Sequence, residues 1–150
     1  MSTNGSGQPK QSVRAFLDDL AEHRVDAALR RLAPGATVNV LPADIEGAAQ
    51  TVGAAFLNGL STAFPDLEMR VLTIFETSDG TVIVELKMEG TQAAEFLGAI
   101  NQEKHLDVDG AWVFETNPSG QISAIRAYWD QNQLYRRLAV KRLDQISIAG

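Results

Sequence analysis

The chain contains no cysteine, which removes disulfides, thiolate chemistry and cysteine-based zinc sites from consideration. Histidine is almost as scarce. The two present, His23 and His105, fall in neither an HxH nor an HExxH spacing, so a structural or catalytic transition metal is not expected. Neither GxxxxGKS/T nor GxGxxG occurs, which disfavours a nucleotide enzyme or a Rossmann dehydrogenase. The absence of GxSxG removes the usual serine hydrolase route. No apolar run approaches the roughly 18 residues of a membrane span. The opening MSTNGSGQPK is polar and Gly/Ser-rich, without the apolar stretch of a secretory signal. Together these absences predict a soluble, cytoplasmic protein that uses no metal and no cofactor.

Positive charge is also in short supply. Lys and Arg number 13 against 19 Asp and Glu, giving a formal net charge of −6. That balance argues against nucleic acid or an anionic membrane as the main partner. The basic residues Arg136, Arg137, Lys141 and Arg142 form a local cluster with no aromatic platform repeated beside it, so a solvated helix face is expected there. With 150 residues, of which 45% are hydrophobic, the chain is long enough to bury one real core as one domain.

Residues 1 to 9 read as a disordered lead-in, 10 to 143 as the domain, and 144 to 150 as a tail. From Gln11 to Leu32 the apolar residues Val13, Phe16, Leu17, Leu20, Val25, Ala28, Leu29 and Leu32 recur at helical spacing, with a break near His23 and Arg24. Pro34-Gly35 is expected to stop this helical segment, and Ala36 to Leu41 alternates as a short strand. A second helical pattern runs from Gly47 to Phe64 and ends before Pro65. The period then changes. Leu67 to Glu76 and Thr81 to Glu89 read as strands joined by the turn Ser78-Asp79-Gly80, and Leu106 to Thr116 and Gln121 to Trp129 form another pair. A closing helix starts near Gln131. Helices, then four long antiparallel strands, then a helix is an α+β order. It predicts a curved antiparallel sheet with helices across its concave side, enclosing an apolar pocket of the kind that binds small ligands. A homodimer could cover the opposite face.

Acid/base chemistry by carboxylates is what this composition leaves. Asp130 stands where the last strand meets the last helix, a place where a fold can hold an acid half-buried at a cavity mouth and raise its pKa. Asp is equally a favoured helix N-cap, and one carboxylate can serve both roles. Arg126 and Tyr128 share a strand face with Asp130 if the strand stays regular. A cation there would keep Asp130 ionised, so the direction of Arg126 is a fork in the mechanism. Trp112, Phe114, Tyr128 and Trp129 cluster on the last two strands; most are expected in the core, and one or two could stack on a flat aromatic ligand. Asp66, in Phe64-Pro65-Asp66-Leu67, reads as a turn residue. Asp107 and Asp109 lack the later ligands of a calcium loop and read as a solvated strand start. His105 reads as a surface residue, and a local polar contact suffices for His23.

The order of elements, together with FPDL (Phe64 to Leu67), EGT and EFLG (Glu89 to Thr91, Glu95 to Gly98) and the YWDQNQLYRRL ending, resembles the SnoaL-like polyketide cyclases of the NTF2-like, ketosteroid-isomerase-like superfamily. The resemblance covers residues 10 to 140. It implies an α+β cone with a deep apolar pocket, assembly as a homodimer or homotetramer, and an apolar or aromatic small-molecule substrate. It also implies cofactor-independent ring closure by an intramolecular aldol reaction, of the kind used in antibiotic biosynthesis. In that family one aspartate near the end of the last strand is the general acid/base, and the spacing to the following Arg-Leu pattern matches it to Asp130. Asn39 matches an asparagine that lines the cyclase pocket. Trp112, Tyr128 and Arg126 complete the substrate-binding set that the resemblance implies. The cyclases also carry an amide and an imidazole on the preceding strand, and Gly110 to Phe114 holds neither. The strands here also lack the Arg-x-Asp of the small epoxide hydrolases. A non-catalytic binding module, a hydroxylation, hydration or epoxide-opening relative, and a structural dimerisation domain are the alternatives.

Overall fold

The first helical stripe folds as α1 (Gln8–Ala21), with Val13, Phe16, Leu17 and Leu20 buried along one face. The computed structural model describes residues 8–147, so Gln8 and Pro9 belong to the domain, while residues 1–7 of the expected lead-in lie outside the described residues. The predicted break is present: His23 adopts a left-handed φ of 64°, and α2 (Val25–Leu29) follows. Pro34-Gly35 does not separate helix from strand. Both residues lie inside β1 (Leu32–Val40), where Gly35 takes φ 79° and the register shifts between Leu32 and Thr37. From Leu32 to Thr37 β1 advances five residues while β6 advances two from Ile122 to Ala124, so β1 loops out around Gly35, whose positive φ glycine adopts readily, and the turn signal marks an irregularity inside the strand.

The helical pattern expected from Gly47 divides into β2 (Ile45–Ala48), a π-helical turn (Ala49–Gly53) and α3 (Ala54–Ala63). A four-residue edge strand is too short for alternation to show. The ladder that follows matches the expectation closely. β3 (Glu68–Glu76) and β4 (Thr81–Thr91) form a hairpin whose turn needs Gly80 at φ 88°. β5 (His105–Thr116) and β6 (Ile122–Trp129) extend the sheet, and α4 (Gln131–Arg137) follows, ahead of a short 3-10 turn (Leu143–Gln145). The strand order is β2-β1-β6-β5-β4-β3. β1 runs parallel to β6, so the curved, unclosed sheet is mixed, unlike the purely antiparallel sheet expected. Only pairing across a long stretch of chain decides that direction.

α1 lies across β3, β4 and β6, and its Phe16 meets Phe114 of β5 edge to face at 5.7 Å. One buried acid ties the helical layer together. Asp19 receives Nη2 of Arg24 at 2.9 Å and Nε of Arg31 at 2.7 Å. Burial by itself would raise the Asp19 pKa, but the hydrogen bonds and charges of Arg31 and Arg24 outweigh it and hold the carboxyl below its ordinary value. At the carboxyl end, the Ile100 amide donates to Gln145 O at 3.0 Å and Ile146 bridges Ala99. Residues 144–147 are therefore docked on the domain and are no free tail, and 148–150 lie outside the described residues. Among the described residues, no helix is long and apolar enough to cross a membrane.

Candidate functional site

Side chains alternate across each strand, so the inner face of the sheet is set by its buried positions. On β1 these are Val38 and Val40, on β6 Ile125 and Ala127, and on β5 Trp112. Ala49 and Gly53 of the π-helical turn and Phe56 and Leu57 of α3 face them. A void of about 10 Å³ remains between the two layers, at the lower limit of what one water needs. Where a deep apolar pocket was expected, the packed layers leave only this void. Phe56 is the chief filler. Its ring stacks on Trp129 at 6.2 Å and lies 6.4 Å from Trp112 and 6.3 Å from Phe96.

The only polar side-chain atom among the lining residues is Nε1 of Trp112, and it is buried with no hydrogen-bond partner. An unmet buried donor costs about 1–3 kcal/mol. Trp129 shows the ordinary solution: its Nε1 donates to Gln131 Oε1 at 2.8 Å. Gly53 lets the π-helical turn approach β1, since a Cβ there would stand 3.1 Å from Val38 Cγ1.

Of the expected site residues, Trp112 is the one that reaches this cavity. Asp130 is exposed and caps α4, its Oδ1 accepting the Gln133 amide at 3.1 Å. It is not among the lining residues, which corrects the expected half-buried position at the cavity mouth. Arg126, Tyr128 and Asn39 lie on the opposite, outer face of the sheet, because their inward neighbours on β6 and β1 are Ile125, Ala127, Val38 and Val40. Arg126 Nη1 pairs with Glu115 Oε2 at 2.7 Å, which settles the fork against pairing with Asp130. Asn39 stands beside Arg126 in the β1–β6 register. The Glu115 hydrogen bond raises the Arg126 pKa further above its ordinary value.

The remaining candidates have structural partners. His23 joins Ser61 Oγ through Nδ1 and the Pro65 carbonyl through Nε2, both at 2.7 Å, so it clamps the α1–α2 corner to the end of α3. A carbonyl only accepts, so Nε2 carries a proton. Asp66 Oδ1 accepts the Thr91 amide at 2.7 Å, consistent with a turn role. Asp107 and Asp109 share Lys87 at 2.8 and 3.4 Å, and the Lys87 hydrogen bond lowers the Asp107 pKa. His105 is exposed at the start of β5, with Nε2 3.8 Å from Glu89 Oε2. Among the described residues no group of three or more His, Asp and Glu side chains is placed to hold a metal ion.

This arrangement of α1 and α3 over the concave side of a six-stranded mixed sheet is shared with proteins of known structure. The sequence profile of the SnoaL-like domain matches residues 13–130. The chain belongs to the SnoaL-like family. A protein from Jannaschia sp. CCS1 assigned as a SnoaL-like polyketide cyclase superposes with a TM-score of 0.78 at 22% identity, covering 95% of this chain and 99% of that one. An LEH-like epoxide hydrolase of M. tuberculosis gives 0.70 at 16% identity over 89% of this chain and 91% of that one. A protein from Catenulispora acidiphila with a ketosteroid isomerase-like fold gives 0.73 at 12% identity over 87% and 93%. No curated protein matches the sequence. The SnoaL-like chain thus has the ketosteroid isomerase-like, NTF2-like fold, and proteins of different activities share it.

Sequence reasoning missed Phe56 as a cavity residue and named Tyr128 as a pocket residue, where Trp129 is the one that turns inward and stacks on Phe56. The signal was available for Trp129. Ile125 and Ala127 mark the apolar side of β6, and the same alternation carries Trp129 inward and Tyr128 outward. No comparable signal marks Ala49 and Gly53, whose π-helical turn has no sequence period of its own.

Proposed function

We propose that this SnoaL-like chain binds a small apolar, aromatic molecule between the sheet and α3, as a binding module of the cyclase fold. The observation that carries this reading is the cavity wall itself. It joins a group of aromatic rings (Phe56, Trp112, with Trp129 behind) to the small residues Ala49, Gly53 and Ala127, and bears no acid or base.

A second reading, the cofactor-independent aldol-type enzyme acting on a polyketide-like carbonyl compound, is favoured by one feature. Asp130 follows directly on Trp129, and only its Oδ1 is engaged in the cap. Asp130→Asn separates the two. Asn caps a helix as well as Asp, so unfolding stability is expected to change by less than about 0.5 kcal/mol. If Asp130 moves a proton, deuterium uptake at the central carbon of a bound 1,3-diketone, followed by NMR, falls by about a hundredfold or more in the variant. Equal uptake in both proteins, or none above buffer in either, leaves the binding module.

The outer sheet face supports assembly through a second copy. Leu72, Phe75 and Tyr128 are 51%, 56% and 40% exposed there. The pairs Arg126–Glu115 and Lys87–Asp107 neutralise part of the charge beside the patch, while Glu85 and Asp109 border Leu72 and Tyr128, so a twofold contact has to keep these acids at its rim. Light scattering at micromolar concentration is expected to give a dimer or tetramer that Phe75→Glu with Tyr128→Glu dissociates. A monomeric wild-type protein sinks this assembly.

A further inference from the structure

We propose that residues 144–147 form a latch on the space between the sheet and α3. They pin the Phe96–Ala99 turn and, through it, the Phe96 and Phe56 rings, and their release opens the way in. This rests on the reading of that space as a binding site and adds how a ligand enters it.

The segment Phe96-Leu97-Gly98-Ala99 holds one residue that favours a tight turn and one that opposes it. The Phe96 amide donates to Ala99 O at 3.1 Å and the Ala99 amide to Phe96 O at 2.8 Å, closing a two-residue turn. Such a turn needs left-handed backbone at both central residues, and Leu97 stands at φ 49° and Gly98 at φ 85°. Glycine takes that conformation freely, whereas the Cβ of Leu97 opposes it. A turn strained in this way persists where its surroundings hold it. The holding contacts come from far along the chain. Ile146 pairs with Ala99, the Ile100 amide donates to Gln145 O at 3.0 Å, and the Ser147 amide donates to Gly98 O. Tyr135 Oη donates to Leu97 O at 2.9 Å. The fit is close, since a Cβ on Gly98 would stand 3.3 Å from Ile146 Cγ2.

What the turn holds in place is Phe96. Its buried ring meets Phe64 at 5.3 Å and Phe56 at 6.3 Å, and Phe56 is the ring that fills the space. On the sheet side, Val38, Trp112 and Ile125 lie in strands paired on both flanks. The latch has a single bridge pair, so it opens far more readily than the sheet. Its own shape depends on Gln145, whose Oε1 accepts the Lys141 amide at 2.6 Å and whose Nε2 donates to Gln102 Oε1 at 3.1 Å. Once the latch lifts, the strained turn relaxes, Phe96 withdraws and Phe56 has room to follow.

Ala99 and Ile146 face each other without mutual hydrogen bonds, at the spacing of about 4.5 Å that a disulfide spans. The chain has no cysteine, so Ala99→Cys with Ile146→Cys in the full-length protein gives a latch locked by oxidation and freed by reduction. Hydrogen exchange of the Trp112 indole, buried against Phe56, reads opening of the space, and that of the Leu86 amide in β4 reads global unfolding. After correction for intrinsic rates, Trp112 should exchange about tenfold or more faster than Leu86 in the wild-type protein. Oxidation should slow Trp112 exchange about tenfold, and Gln145→Ala should speed it about threefold or more. Trp112 exchange in step with Leu86, or unmoved by oxidation, overturns the latch. Gln145→Ala decides it in the same way if the cysteine variant does not fold. Naphthalene, titrated into the ¹⁵N-labelled reduced protein, should shift the Trp112 indole signal and should enter about tenfold more slowly after oxidation. Equal entry in both forms overturns the latch as the way in. No shift in either form sinks the space as a binding site, while Trp112 exchange still decides the latch.

Discussion

Phe56→Ala is expected to cost the fold about 3–5 kcal/mol and to create a cavity that small aromatic molecules fill. Phe56 is buried, and its ring touches Trp112, Trp129 and Phe96. Removing it takes away the transfer energy of the ring and leaves a space that joins the existing void. The sheet side of that space cannot collapse inward without breaking paired strands, so much of it should persist. Apolar cavities of this kind stay dry and bind benzene. Saturating benzene should therefore raise the thermal midpoint of Phe56→Ala by several degrees and leave the wild-type protein almost unmoved. Urea unfolding checks the first part and calorimetry with benzene the second. A loss under about 1 kcal/mol with no benzene effect would mean that α3 closes over the gap, and that the cavity is not a rigid feature.

The second large effect concerns acid. Asp19→Asn should lower stability at pH 7 by about 1–3 kcal/mol, because two charge-assisted hydrogen bonds to Arg24 and Arg31 are weakened at a buried site. The arginines are half-exposed and can turn to water, which keeps the loss below that of stranding a buried charge. The folded-state carboxyl is held below its ordinary value of 3.8. Its contribution is therefore complete above the unfolded pKa of about 3.9 and is lost as pH falls through the depressed folded value. Wild-type stability should drop across that interval, and the gap to Asp19→Asn should narrow as it does. Urea midpoints at pH 7, 5 and 3 read this directly. A gap that stays constant down to pH 3 contradicts the assignment.

Much of the architecture was legible because it rests on local periods. The α1 stripe, the four long strands and the turn at Gly80 each follow from spacing or from a glycine at positive φ. The places where expectation and structure part are those without a period. Gly35 signals an irregularity inside a strand as readily as a break. β2 is shorter than one alternation can show, and a π-helical turn is indistinguishable in sequence from the helix it precedes. The candidate site divides in the same way. Trp112 lies on the inner face, whereas Tyr128, Arg126 and Asn39, expected at the pocket, lie outside because Ile125, Ala127, Val38 and Val40 take the inward positions.

Composition and spacing alone determined that this protein has no thiol chemistry, no nucleotide loop and no histidine metal motif, and that its layers are helices over a curved sheet. Those properties depend on residues present or absent and on contacts within a few turns of chain. Tertiary structure alone decided that β1 runs parallel to β6, that Asp19 is shared by two arginines, and that Phe56 nearly fills the cavity. It also left the Trp112 donor without a partner. Each of these depends on residues far apart in the chain meeting at a particular depth, and no local pattern encodes that depth.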